Sequence, residues 1–83
     1  MLKERLSKNL RIIRAAHKWS QETAAELCDL SPRFWSKVEL CKANASIETL
    51  EKISVGLQVS VEDLLKENMD LEAAMKPRSK GEK

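Results

Sequence analysis

Apolar residues recur at Leu2, Leu6, Leu10 and Ile13, with Lys3, Lys8, Arg11 and Lys18 mostly off that stripe. Intervals of three and four residues predict an amphipathic helix over about 2–17. Ser20 is placed to cap a second helix running to about Cys28, with Glu22 near its positive end and the small Ala24 and Ala25 turned inward. Ser31-Pro32 starts a third helix, because proline fits the first helical position, where its missing N–H has no helical partner to lose. That helix runs to about Leu40, and residues 41–45 read as a loop. Ser46 caps a fourth helix carrying Ile47, Leu50, Ile53 and Leu57; Ser60, with Asp63 three residues on, opens a fifth with Val61, Leu64 and Leu65. Beyond Lys66 the apolar pattern thins to Met69, Leu71 and Met75. The chain therefore divides into one all-α, five-helix domain at 1–66 and a segment at 67–83, expected to be a helix-5 extension and a disordered charged tail.

Composition narrows the class. Two glycines, two prolines, three aromatic residues and no tyrosine in 83 residues argue against an all-β fold. No apolar run is long enough to span a bilayer, and the charged Lys3, Glu4, Arg5 and Lys8 stand where a signal peptide needs an apolar stretch, so a cytoplasmic protein is expected. Cys28 reads as a small buried apolar group and Cys41 as a loop thiol. With one histidine, His17, they make no metal site, and no cofactor motif or catalytic constellation is present, so neither enzyme activity nor a small-molecule ligand is expected. The net charge of +2 is unevenly spread: residues 1–18 hold six basic side chains against one acidic, and 46–83 six against eight. The basic excess lies on the first helix, a modest hint of a polyanion-facing edge.

Two charges fall where a helical wheel calls for apolar residues. Arg14 continues the Leu6, Leu10 row by four, and Glu39 lies four after Trp35. Either helices 1 and 3 meet there and the two form a bidentate pair, or each side chain snorkels to solvent. On the third helix Phe34, Trp35, Val38 and Glu39 share one half of the cylinder, and Pro32, Arg33, Ser36 and Lys37 the other. Trp35 and Trp19 read as core residues and Phe34 as an edge residue.

The run Arg14-x4-Trp19-Ser20-Gln21-x3-Ala25-x4-Leu30-Ser31-x3-Trp35-x2-Val38-Glu39, with Ser46-x-Glu48-Thr49-Leu50 and Leu57-x-Val59-Ser60-x2-Asp63-Leu64-Leu65, resembles the helix-turn-helix domains of lambda-repressor and Cro-like regulators, the XRE family. The resemblance covers roughly residues 4–65 and implies a helix-turn-helix at helices 2 and 3. It implies that Arg14 pairs with Glu39, that Gln21 meets a DNA phosphate, and that Pro32, Arg33, Ser36 and Lys37 face the major groove, with Ser31 also among the DNA-binding residues. It also puts Lys42 and Asn44 at backbone phosphates. The chain departs from the family's glycine and proline pattern in three places. Asp29 occupies a turn position that is often glycine; Leu40-Cys41 and Ala45 alter the loop after helix 3; Gln58 stands where glycine usually closes helix 4, which suggests a loose helix end.

Arginine takes guanine O6 and N7 together and lysine reaches the same edge, so Arg33 and Lys37 one turn apart suit G-containing half-sites; without the resemblance they read as an ordinary solvated face. The function implied is a sequence-specific double-stranded DNA-binding regulator, a nucleoid-associated repressor acting as a homodimer. The alternative is the antitoxin of a toxin–antitoxin pair, whose helix-5 extension and tail would hold a protein partner.

Overall fold

A computed structural model of the chain describes residues 2–67. Five helices follow one another: α1 Leu2–His17, α2 Gln21–Leu27, α3 Pro32–Glu39, α4 Ile47–Leu57 and α5 Val61–Leu64. No strand occurs among the described residues. Helices α2 to α5 start alike. Ser20, Ser31, Ser46 and Ser60 are extended, and each hydroxyl accepts the N–H three residues on, from Thr23, Phe34, Thr49 and Asp63 at 3.0–3.1 Å. Each serine thus satisfies an amide that the helix itself leaves unpaired.

The helix ends share a second device. Lys18, Asp29, Cys41 and Gln58 follow α1, α2, α3 and α4 and all take left-handed backbone, with φ between 57° and 61°. At each, the next residue's N–H turns back five positions: Trp19 to the Arg14 carbonyl at 3.0 Å, Leu30 to Ala25 at 2.9 Å, Lys42 to Lys37 at 2.8 Å and Val59 to Ser54 at 3.1 Å. This is the Schellman closure, here built four times without glycine. Left-handed backbone costs a residue with a Cβ about 1–2 kcal/mol. At three of the four ends the following side chain, Trp19, Leu30 or Val59, packs into or against the core and offsets that cost. The α4 end is consequently not loose. Gln58 closes it with φ 58° and ψ 44°, because burying Val59 requires the chain to reverse there.

The core joins Leu6, Leu10 and Ile13 of α1 to Trp35 and Val38 of α3, Ile53 and Leu57 of α4, and Leu64 of α5, all at most 5% exposed. Helix α2 contributes Ala24, Ala25 and Cys28, whose small side chains let it lie close to its neighbours. The closest approach is against α4. A Cβ added to Gly56 would stand 2.4 Å from the Leu27 carbonyl oxygen and 2.8 Å from Cys28 Cα. Gly56 is therefore the contact point of α2 and α4, a role its helical position did not suggest.

Two buried polar residues of α1 fix the other partners. Ser7 is fully buried and donates to the Glu39 carbonyl at 2.5 Å. Asn9, also fully buried, presents Nδ2 to the carbonyls of Leu64 at 2.8 Å, Lys66 at 2.9 Å and Asp63 at 3.4 Å. By capping these carbonyls Asn9 marks the end of α5. Glu67 is in a bend, and the rest of the expected helix-5 extension and tail, residues 68–83, lies outside the described residues.

Candidate nucleic-acid interface

Helix α3 is anchored by one carboxylate. Glu39 is 4% exposed, and each of its oxygens takes two donors. Oε2 accepts Arg14 Nε at 2.7 Å and Trp35 Nε1 at 2.5 Å; Oε1 accepts Arg14 Nη2 at 3.1 Å and Gln21 Nε2 at 3.0 Å. The Arg14 guanidinium is thus bidentate, and its remaining Nη1 donates to the Trp19 carbonyl at 3.2 Å. Burial would raise the pKa of Glu39, but the hydrogen bonds from Arg14, Gln21 and Trp35 and the charge of Arg14 prevail and hold it below the ordinary value of 4.5. One ionised group therefore joins α1, the first residue of α2 and α3. Ser7 adds a second tie from α1 to the last residue of α3, so the direction in which α3 faces outward is fixed at two points.

The opposite face of α3 is open. Ser31, Pro32, Arg33 and Lys37 are exposed and Ser36 is half-buried. Ser31 spends its hydroxyl on the Phe34 N–H at 3.1 Å, so it caps the helix besides lying at its rim. Arg33 and Lys37 are one turn apart on this face. Leu40, 59% exposed, follows them by seven and three residues and continues the same face as a surface apolar group.

The residues expected at phosphates occupy different settings. Lys42 and Asn44 are exposed in the loop between α3 and α4. Lys42 follows the left-handed Cys41 as Trp19, Leu30 and Val59 follow theirs, yet its side chain stays outside while its N–H closes α3. That single departure from the pattern presents a cation beside α3. Gln21 is half-buried and donates one amide hydrogen to Glu39, leaving the second hydrogen and the carbonyl oxygen for other partners.

Trp35 is fully buried, and Phe34 and Trp19 pack partly buried against the core. His17 stacks on Trp19, with ring centroids 4.2 Å apart and planes 11° from parallel. Cys28 is buried, and desolvation pushes its thiol up to about 12. Among the described residues no group of three or more His, Cys, Asp or Glu side chains is placed to hold a metal, and no helix is long and apolar enough to cross a membrane. The sequence pattern misses Ser7, Asn9 and Gly56. Their signal is on the helical wheel: Ser7 lies seven before Arg14, and Asn9 lies between Leu6 and Ile13 on the inward stripe.

Two short helices at a fixed turn, the second with a polar outer face and a charge-anchored inner one, define a helix-turn-helix domain of the lambda-repressor-like, DNA-binding class. Residues 10–64 match the family model described as Helix-turn-helix, and the chain belongs to that family, in its XRE-type branch. It is 35% identical over 60 residues to a protein described as a Neisseria hypothetical transcription factor, from Neisseria meningitidis serogroup B (strain ATCC BAA-335 / MC58); the match covers 72% of this chain and 57% of the relative. It is 42% identical over 45 residues to the control protein C.MunI of Mycoplasma sp, covering 54% of this chain and 61% of that relative. The chain thus spans about three-fifths of the length of each of these relatives. No solved structure matches it significantly.

Proposed function

We propose that the protein is a sequence-specific double-stranded DNA-binding transcriptional regulator that reads the major groove with α3 and represses by occupying its operator. The observation that carries this reading is the face with exposed Arg33 and Lys37 flanking half-buried Ser36, on a helix whose opposite side is held by four donors on Glu39. A reading head needs that rigidity, because base contacts discriminate only when the donors arrive in register. Lys42 and Asn44, with the free half of the Gln21 amide, set that register through phosphates. The names of the two relatives, a transcription factor and a control protein, support a regulatory role.

The operator geometry follows from size. One such domain makes few contacts, so it acts as a two-fold dimer in the cytoplasm, on half-sites about 34–36 Å apart. Half-buried Val61 and Leu65 at α5 supply apolar surface for the dimer contact, while Val59, 5% exposed, is packed in the core.

Selection of bound sequences from a random duplex library, followed by binding titrations at several salt concentrations, tests the proposal. A two-fold consensus and an affinity that falls linearly with salt on logarithmic axes are expected. Enrichment of no sequence, with equal affinity for all duplexes, would overturn sequence-specific reading.

A further inference from the structure

One large apolar side chain stands on the cationic face of α3. Among the described residues Leu2, Leu27, Leu40, Ile47 and Val55 are the large apolar groups left exposed, and of these only Leu40 belongs to α3, as its C-cap. Its N–H donates to the Ser36 carbonyl four residues back at 3.0 Å, the helical bond, so the side chain keeps the register of the helix. At about 100° per residue Leu40 projects about 20° from Arg33 and about 60° from Lys37, with Ser36 on its other side. The outward face of α3 therefore carries two cations, one hydroxyl and one isobutyl group.

The backbone of Leu40 is held from both sides. In the peptide unit that joins Glu39 to Leu40 the carbonyl accepts the buried Ser7 hydroxyl at 2.5 Å, and the Glu39 carboxylate takes four donors. After Leu40 the left-handed Cys41 turns the chain, and the Lys42 N–H closes on the Lys37 carbonyl at 2.8 Å. The side chain itself is 59% exposed. An apolar group is thus presented to solvent at a fixed place.

We propose that Leu40 reads a thymine by packing its methyl groups on the C5 methyl in the major groove. This deepens the function given above and rests on it. The major-groove edges of the base pairs offer polar atoms, which suit Arg33, Ser36 and Lys37, and one apolar group, the thymine C5 methyl. Leucine has neither donor nor acceptor in its side chain, so that methyl is the base-edge group it can distinguish. The contact takes apolar surface of both partners out of water and breaks no hydrogen bond of the side chain. Arg33 and Leu40 are two turns apart, about 10 Å along the axis. With about 3.4 Å between bases along a strand, the thymine falls within about three base pairs of the one that Arg33 reads.

A double-mutant cycle between protein and DNA tests this on the operator selected from the random duplex library. Uracil replaces each thymine in turn, at matching positions of the two half-sites, which removes the C5 methyl and nothing else. Binding titrations compare the native chain with Leu40→Ala. At one thymine per half-site, within about three base pairs of the pair at which Arg33→Ala relaxes preference, uracil should weaken the native chain about fourfold per half-site, the worth of one buried methyl group. Leu40→Ala should bind thymine and uracil alike there and keep its preferences elsewhere. In the native complex, nuclear Overhauser contacts from the Leu40 δ-methyls to that thymine methyl are expected, a measurement that needs no variant to fold. Equal losses by Leu40→Ala on thymine and uracil duplexes at every position would overturn the proposal, since Leu40 would then pack on sugar or serve the fold alone; so would a native complex without the methyl contacts. A library that yields no consensus overturns sequence-specific reading and this inference with it, whereas a consensus that responds to Arg33→Ala but shows no methyl coupling at Leu40 overturns this inference alone.

Discussion

Replacing Glu39 with alanine removes one acceptor and strands four donors, and the structure allows the cost to be worked out group by group. The Trp35 indole is fully buried, so its N–H loses its partner with no water to replace it, at about 1–3 kcal/mol. Arg14 has a side chain 27% exposed and recovers part of its hydration, which lowers its share below that of a fully buried unpaired charge. Gln21 is half-buried and turns to solvent at little cost. The sum is about 3–4 kcal/mol, which for a domain of this size lowers the melting temperature by about 12–30 °C. Thermal unfolding followed by circular dichroism measures it. The pH dependence gives a second reading. The carboxyl of Glu39 is held below its ordinary value of 4.5, so the stability it contributes is fully present above about that pH and is lost as pH falls through its folded-state pKa. The gap between native protein and Glu39→Ala should accordingly narrow in acid. A gap under about 1 kcal/mol at pH 7 would refute the reasoning, since that is the worth of an exposed pair; so would a gap that widens in acid.

Three further outcomes are expected. Gly56→Ala should destabilise by about 1–3 kcal/mol in urea unfolding, although alanine is the better helix former by about 1 kcal/mol, because the new methyl meets the backbone of Leu27 and Cys28; a stabilised variant would show that α2 and α4 can separate freely. Gln58→Gly should stabilise by about 0.5–1 kcal/mol in the same assay, since it removes the left-handed penalty at a position with φ 58° and ψ 44°, and a loss of stability would mean that the Gln58 side chain holds the α4 end. On a selected operator, Arg33→Ala should lose about 1–3 kcal/mol and relax preference at one base pair per half-site, whereas Lys42→Ala should weaken all duplexes alike and flatten the salt slope by about 0.9; the reverse assignment in a binding titration would mean that α3 docks differently.

How much of this molecule is legible in its sequence depends on the range of the interaction concerned. The starts of α2 to α5 are written locally, because a serine hydroxyl bonds an amide three residues away and needs nothing else. The inward stripe of α1 and the outward face of α3 are also local, fixed by the 100° turn per residue. Arg14 and Glu39 stand out on the same wheel as charges among apolar residues, but spacing alone leaves open whether they meet. Their meeting is decided by the packing of α1 against α3, which also brings in Gln21 and Trp35 and shuts out water. Ser7 and Asn9 escape a pattern reading because serine and asparagine are ordinary on a surface; only the carbonyls of Glu39, Leu64 and Lys66 arriving from 32, 55 and 57 residues away make them buried anchors. The same holds for the helix ends. Left-handed Lys18, Asp29, Cys41 and Gln58 have no glycine to announce them, and the reversal is imposed at three of them by the side chain that must reach the core next. Hydrogen bonds within one turn are specified by neighbours in sequence, whereas burial is a property of the whole fold, and it is burial that decides which polar groups become structure and which remain free to meet a ligand.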